Sequence, residues 1–141
     1  MKTAALITVA GQSLRMGAFK PLLPINGKPM AAHTADVFSQ AGITDLSFVI
    51  GKRGDQIMSA LKDRNIRFLW NRDFATTEMF DSIQIGLRAI RDEGGFEAAF
   101  LLPGDMPAIT PQILTRLQGE LEPAAGMRCF RAPENAACIR R

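Results

Sequence analysis

Short apolar runs alternate along this chain with stretches in which apolar residues recur every three to four positions. The runs at 4–9, 46–50, 66–70 and 98–102 are rich in Val, Ile, Leu, Phe and Ala. Runs of this kind predict strands buried on both faces, as in a parallel sheet. Between them lie helical patterns. Lys28-Pro29 opens the first, with Met30, His33, Thr34, Val37, Phe38 and Ala41 as its inward stripe and Gly42 as a left-handed cap. Gly51-Lys52-Arg53-Gly54 turns into a second, carrying Ile57, Met58 and Leu61. A third is expected over 79–91, with Met79, Ile83, Leu87 and Ile90 on one face and Gly94-Gly95 as its stop. Thr110 caps a last one, with Pro111 in its first turn and Ile113, Leu114, Leu117 and Leu121 inward.

Strand and helix thus alternate four times. This order predicts a three-layer α/β/α, Rossmann-like fold with a mostly parallel sheet and helices on both faces. Ligands of such sheets sit at the carboxyl ends of the strands. The loops at 10–20, 71–82 and 103–107 all start where a strand ends, so they are expected to face one crevice. Residues 1–122 form one α/β domain on this reading. The stretch 123–141 shows neither helical period nor alternation and is expected to be irregular, with the C-terminal part of the fold missing through truncation or a frame shift.

Composition narrows the picture only moderately. The chain has 141 residues, 47% of them apolar, which suits a single domain with a proper core. No apolar run is long enough to span a bilayer, and no cleavable leader is visible, so a cytoplasmic location and no membrane partner are expected. The net charge is +3 and the basic residues are scattered. This fits a small anionic ligand and argues against nucleic acid as a partner, which needs a clustered basic face. One His excludes a multi-His metal site. Cys129 and Cys138 match no zinc spacing and read as incidental thiols.

Three constellations carry candidate chemistry. Ala10-Gly11-Gln12-Ser13-Leu14-Arg15-Met16-Gly17-Ala18-Phe19-Lys20 follows the first strand. Gly11 and Gly17 let the backbone approach an anion, and free N–H groups in such a turn form a nest. Arg15 supplies a fork and Lys20 a point charge for phosphate. The stretch is neither a Walker loop nor Gly-x-Gly-x-x-Gly. It reads either as a triphosphate cradle or as an ordinary strand-to-helix loop with two solvated cations. In Leu102-Pro103-Gly104-Asp105-Met106-Pro107, Asp105 is either a hard oxygen ligand for Mg2+ or a turn Asp bonded to its own backbone. Asn71, Asp81, Ser82 and Gly86 are either nucleoside contacts at a helix start or a cap with a packing glycine. His33 reads as a core histidine and Trp70 as core or pocket wall.

Together these motifs resemble the nucleotidyltransferases of molybdenum-cofactor maturation. The resemblance rests on Ala-Gly-x-Ser-x-Arg-Met-Gly-x-x-Lys and on Leu22-Leu23-Pro24-x-x-Gly27-Lys28-Pro29-Met30. It rests equally on Met79-Phe80-Asp81-Ser82-Ile83 running into Gly86-Leu87, and on Gly104-Asp105-Met106-Pro107 followed by Ile109-Thr110-Pro111. It spans roughly residues 3–121. Val9-Ala10-Gly11 is closer to the Ala-Ala-Gly of the cytidylyltransferases than to the Ala-Gly-Gly of the guanylyltransferases. The resemblance therefore implies CTP and a phosphate-bearing acceptor of the molybdopterin type, and a molybdoenzyme or fused domain as a possible partner. It implies that Ala10 and Gly11 approach base and sugar, with Ser13 in the same loop. It gives the triphosphate to Arg15 and Lys20, the nucleoside to Asn71 and Ser82, and Mg2+ to Asp105. Glu78 stands where the family often has Gly, and Phe80 where it often has Ser. A Gly-x-Pro segment and a late acidic residue expected beyond Leu121 are not found. A guanylyltransferase of the same family, a cytidylyltransferase of isoprenoid or sugar-phosphate metabolism, and a catalytically incomplete nucleotide-binding fragment are the alternatives.

Overall fold

The computed structural model describes residues 1–11 and 18–121, and the backbone alone of 129–131 and 137–140. Four strands form the parallel body of one sheet: β1 (Thr3–Thr8), β4 (Asp45–Ile50), β5 (Ile66–Trp70) and β6 (Ala98–Pro103). Their order is β5-β4-β1-β6, with β1 in register against both neighbours, Leu6 opposite Ser47 on one side and Leu101 on the other. Every connection between parallel neighbours must cross a face of the sheet, so each carries a helix. These are α1 (Met30–Gln40), α2 (Gly54–Ala60) and α3 (Met79–Glu93), and α4 (Pro111–Leu121) follows β6.

The side-chain alternation of β1 assigns the layers. Ala5 and Ile7 join Phe38, Phe48, Ile57, Leu61, Phe100, Leu114 and Leu121 in one cluster, which holds α1, α2 and α4 on one face. Ala4 and Leu6 join Val49, Ile90 and Ala99 on the other, beneath α3. The expected three-layer α/β/α, Rossmann-like fold is therefore present, with a mostly parallel sheet.

Local signals explain the ends of the elements. Gly42 has φ +79°, and its N–H donates to Ser39 O while that of Ile43 donates to Phe38 O, the paired bonds of a Schellman cap. Thr110 accepts from the Ile113 N–H at 3.4 Å and opens α4. Pro29, expected as the first helical residue of α1, instead has extended backbone at ψ 144° and closes a strand. That strand, β3 (Lys28–Pro29), pairs with β2 (Pro24–Ile25) as a small hairpin missed from sequence. Its signal was there: Asn26 and Gly27 both take positive φ, as a two-residue type I′ turn demands.

Several stripe positions differ from expectation. Met58 and Ile113 are exposed because each lies at the margin of its helix's apolar arc, and Met79 because it is the first residue of α3 and borders the cavity. His33 is half-buried and not a core residue. The stretch 123–141 is also not wholly irregular: β7 (Cys129–Arg131) and β8 (Ala137–Arg140) add two antiparallel strands at the edge of β6. Runs of three and four residues are too short to show alternation, and the open edge of β6 supplies their pairing. The side chains of Cys129 and Cys138 lie outside the described residues.

One ionic cluster ties the α1 face together. Asp36 accepts from Arg64 Nε at 2.8 Å and Nη2 at 3.1 Å, and from Lys28 Nζ at 2.6 Å, linking α1, the turn after α2, and β3. The Arg64 hydrogen bond holds the Asp36 carboxyl below its ordinary 3.8; partial burial acts the other way, and Lys28 adds to the lowering. A carboxyl depressed in the folded state binds fewer protons there than in the unfolded chain. Its contribution is therefore complete above about pH 3.8 and is lost as pH falls through the folded value. Urea melts of Asp36→Asn should show a loss of stability near neutral pH that shrinks as the pH falls below the ordinary carboxyl value of 3.8.

Candidate functional site

The carboxyl ends of β1, β5 and β6 share one edge of the sheet, and the ladder continues slightly beyond them. Val9 N–H donates to Val49 O at 2.9 Å, Asn71 N–H to Ile50 O at 2.8 Å, and Gly104 N–H to Thr8 O at 2.9 Å. Gly104 has to be glycine here, since a Cβ would lie 2.1 Å from Val9 Cγ1. These bonds draw the three loops around a cavity of about 170 Å³. Thr8 to Gly11 form its floor, Pro103 to Asp105 one wall, and Asn71, Phe74, Thr77, Glu78, Met79 and Ser82 the other. The convergence expected from sequence is thus observed.

Of the expected site residues, Ala10, Gly11, Asn71, Ser82 and Asp105 line this cavity. Ser13 and Arg15 lie outside the described residues. Gly11 does not take a left-handed conformation, and a Cβ there would meet nothing within 4 Å. It offers open space beside the cavity floor.

Lys20 sits at the start of a short 3-10 turn, Lys20–Leu22, anchored by buried Pro21. Its Nζ lies 3.7 Å from Asp105 Oδ2, and the two side chains are 34% and 43% exposed. An ion pair this long and this wet adds little to stability. Its significance is positional: it sets a cation and an anion side by side at the mouth of the crevice, both reachable from solvent.

Asn71 and Ser82 are both 3% exposed. Asn71 Nδ2 donates to Thr77 Oγ1 at 2.9 Å and to Ser82 Oγ at 3.0 Å, while its Oδ1 accepts from the Asp73 N–H at 3.1 Å. Both amide donors are therefore engaged within the loop. Asn71 folds the 71–82 segment over the cavity and pins the start of α3, so it shapes the site through its neighbours. Asp81 does similar work at that start, accepting from the Glu78 N–H at 2.8 Å. Gly86 resolves as a packing glycine: a Cβ would lie 2.2 Å from Leu6 Cδ1.

Trp70 covers Gly54 and carries Arg72 over its ring at 4.4 Å, so it belongs to the packed side of the sheet end. His33 is not among the residues that line the cavity. Sequence reasoning missed Phe74, whose side chain closes over Gly51. A lone aromatic inside the polar run Asn71-Arg72-Asp73-Phe74-Ala75-Thr76-Thr77 was the available signal.

Among the described residues no three His, Cys, Asp or Glu side chains gather as a metal site. The donor set still fits Mg2+. That ion keeps several waters and takes one or two carboxylates together with phosphate oxygens, and Asp105 presents one hard, partly exposed carboxylate at the cavity wall. No helix among the described residues is long and apolar enough to cross a membrane.

The family of MobA-like NTP transferase domains matches residues 5–138. Among curated proteins, the bifunctional protein GlmU of Chromohalobacter salexigens is 32% identical over 124 residues, covering 86% of this chain and 26% of that protein. The chain thus spans about a quarter of the length of the curated relatives it matches. A nucleotidyl transferase from Methanothermobacter superimposes with a TM-score of 0.78 at 24% identity, over 96% of this chain and 70% of the other. Rv0371c of Mycobacterium tuberculosis, in complex with manganese, gives 0.72 at 20% identity, over 100% and 72%. The 4-diphosphocytidyl-2C-methyl-D-erythritol synthase of Anaerococcus prevotii gives 0.71 at 18% identity, over 98% and 69%. At these identities the structural likeness bears on the fold.

Proposed function

Because the chain belongs to the family of MobA-like NTP transferase domains, we propose that it moves a nucleoside monophosphate from a nucleoside triphosphate to a phosphate-bearing small molecule, releasing pyrophosphate. CTP is the preferred donor on this reading and a molybdopterin-type phosphate the preferred acceptor. The observation that carries it is the Lys20–Asp105 pair at the mouth of a cavity built from three strand ends. Ala10 in place of a second glycine supports cytosine, as does the cytidyl group in the name of the Anaerococcus neighbour. The methylerythritol group in that same name supports a second reading, a cytidylyltransferase acting on an isoprenoid or sugar phosphate.

An acceptor phosphate oxygen forms a new bond to the α-phosphorus. The bond from that phosphorus to the bridging oxygen breaks, and its electron pair leaves with pyrophosphate. A phosphate monoester is largely ionised near neutral pH, so the attacking oxygen has no proton to lose to a base. This agrees with a cavity that His33 does not line. Rate then comes from alignment and from neutralising charge. Lys20 sets a cation against the charge gathering on pyrophosphate, with Arg15 as its partner from the same loop. Ala10 and Gly11 leave room for the nucleoside, and Asn71 with Ser82 holds the wall beside it. Asp105 would hold Mg2+, which when bound supplies charge neutralisation on phosphate oxygens.

Melting curves with CTP, GTP, ATP and UTP, each with and without Mg2+, test this reading. A ligand that binds only the folded state stabilises it by RT ln(1 + [L]/Kd), so at a hundredfold excess over Kd the gain is about 2.7 kcal/mol. CTP with Mg2+ should give the largest shift. Absence of a shift with every nucleotide would overturn the proposal.

A further inference from the structure

The cavity wall formed by 71–82 has two unusual properties. It presents apolar surface to solvent, with Met79 59% exposed and lining the cavity beside Phe74. Its amide and main-chain hydrogen-bonding groups are also largely engaged by the loop itself. Both donors and the acceptor of the Asn71 amide have partners within 71–82, and the Glu78 N–H is held by Asp81. The Glu78 side chain is only partly engaged. It is exposed, it lines the cavity, and a carboxylate offers about four acceptor sites. Even with one of them engaged in the capping box with Asp81 at the start of α3, acceptor capacity remains. Beyond that capping contact the exposed side chain has no part in the core, and the position is also one where the chain departs from the family pattern.

We propose that Glu78 is a specificity-determining residue: its carboxylate accepts a hydrogen bond from the exocyclic amino group of the nucleobase and so selects an amino-bearing base over uracil. This inference rests on the reading of the cleft as a nucleoside triphosphate site. Charge orders the ligand within the cleft. Phosphates are drawn toward Lys20 and repelled by a carboxylate, so the end of the nucleotide that meets Glu78 is the base. Phe74 and Met79 supply apolar surface for a planar ring on the same wall. Cytosine presents its N4 amino group as a donor, the complement of a Glu acceptor, and uracil has a carbonyl oxygen at the same place. Two acceptors facing each other repel, so one residue both attracts the amino base and rejects uracil.

Calorimetric titration of the intact chain with CTP, UTP, ATP and GTP in the presence of Mg2+ tests this, for the unaltered protein, Glu78→Ala and Glu78→Gln. Glu78 is exposed and lies outside the core, so both variants should fold; Glu78→Ala loses the capping contact at the start of α3 while Glu78→Gln keeps an acceptor there, and the melting curves of both check this. The unaltered protein should bind CTP about tenfold more tightly than UTP, the scale of one charge-assisted hydrogen bond. In Glu78→Ala the ratio should fall to within about twofold through weaker CTP binding, with UTP binding kept. In Glu78→Gln the amide carries donors as well as an acceptor, so UTP binding should improve. An unchanged ratio in Glu78→Ala, or tight nucleotide binding with no preference for CTP over UTP in the unaltered protein, overturns this inference alone. Absence of binding by all four triphosphates overturns the nucleotide reading and this inference with it.

Discussion

On the proposed reaction, Lys20→Ala should lower kcat for nucleotidyl transfer by about 10²- to 10³-fold, with stability changed by less than about 1 kcal/mol. The two magnitudes come from different states of the same side chain. In the free protein Lys20 contacts Asp105 across 3.7 Å with both partners well solvated, and such a pair contributes little to folding. In the transition state of the proposed transfer, negative charge would gather on the departing pyrophosphate within the cleft. A cation already positioned there is worth several times its value in water, because it need not reorganise when the charge appears. Removing it should therefore act on kcat more than on KM for the nucleotide, since the charge it meets is greatest in the transition state. Arginine is the discriminating replacement. Its fork is longer and planar, so Lys20→Arg should keep nucleotide affinity and recover only part of the rate. Steady-state kinetics with CTP, Mg2+ and a phosphate-bearing acceptor, beside urea melts of the same variants, measure both quantities. An unchanged kcat in Lys20→Ala would remove Lys20 from the site.

The layers of the fold were legible because their causes are local and repetitive. Ala4 to Ile7 lie in a central strand covered on both sides, so the strand has to be apolar throughout, and the run shows it. Gly42 ends α1 as expected because a left-handed cap leaves few residues to choose from. Less legible were features that depend on what a residue meets across the fold. Asn71 could be marked as chemically interesting, but not that Thr77 and Ser82 engage both its donors. Gly86 could be marked as odd inside a helix, but only the seating of α3 on Leu6 decides between packing and ligand approach. The hairpin around Asn26-Gly27 was visible in the residues and passed over, because two-residue strands leave no periodicity to find. For the candidate site, Lys20 and Asp105 came from separate motifs, and their adjacency follows from the parallel sheet that brings both loops to one edge.

Gly86→Leu should destabilise the protein by about 3 kcal/mol, the upper part of the range for overpacking a core. Two effects oppose each other at this position. Replacing a helical glycine relieves backbone entropy worth about 1 kcal/mol, which by itself would stabilise α3. Against that, a Cβ at residue 86 would lie 2.2 Å from Leu6 Cδ1, 2.4 Å from Cδ2 and 2.8 Å from Cγ. Leu6 cannot turn aside, since it is fully buried in β1 between the ladders to β4 and β6. The helix itself must lift, and it carries Ser82 with it, together with Glu78 at its start. The strain is therefore transmitted to the cavity wall. Gly86→Ala adds only the Cβ and gains the same helix preference, so its loss should be smaller than that of Gly86→Leu. Urea melts give the stabilities, and nucleotide titrations on the still-folded fraction should show weaker binding in both variants. Stabilisation by Gly86→Ala with unaltered binding would mean that the packing of α3 on Leu6 does not set the position of the wall.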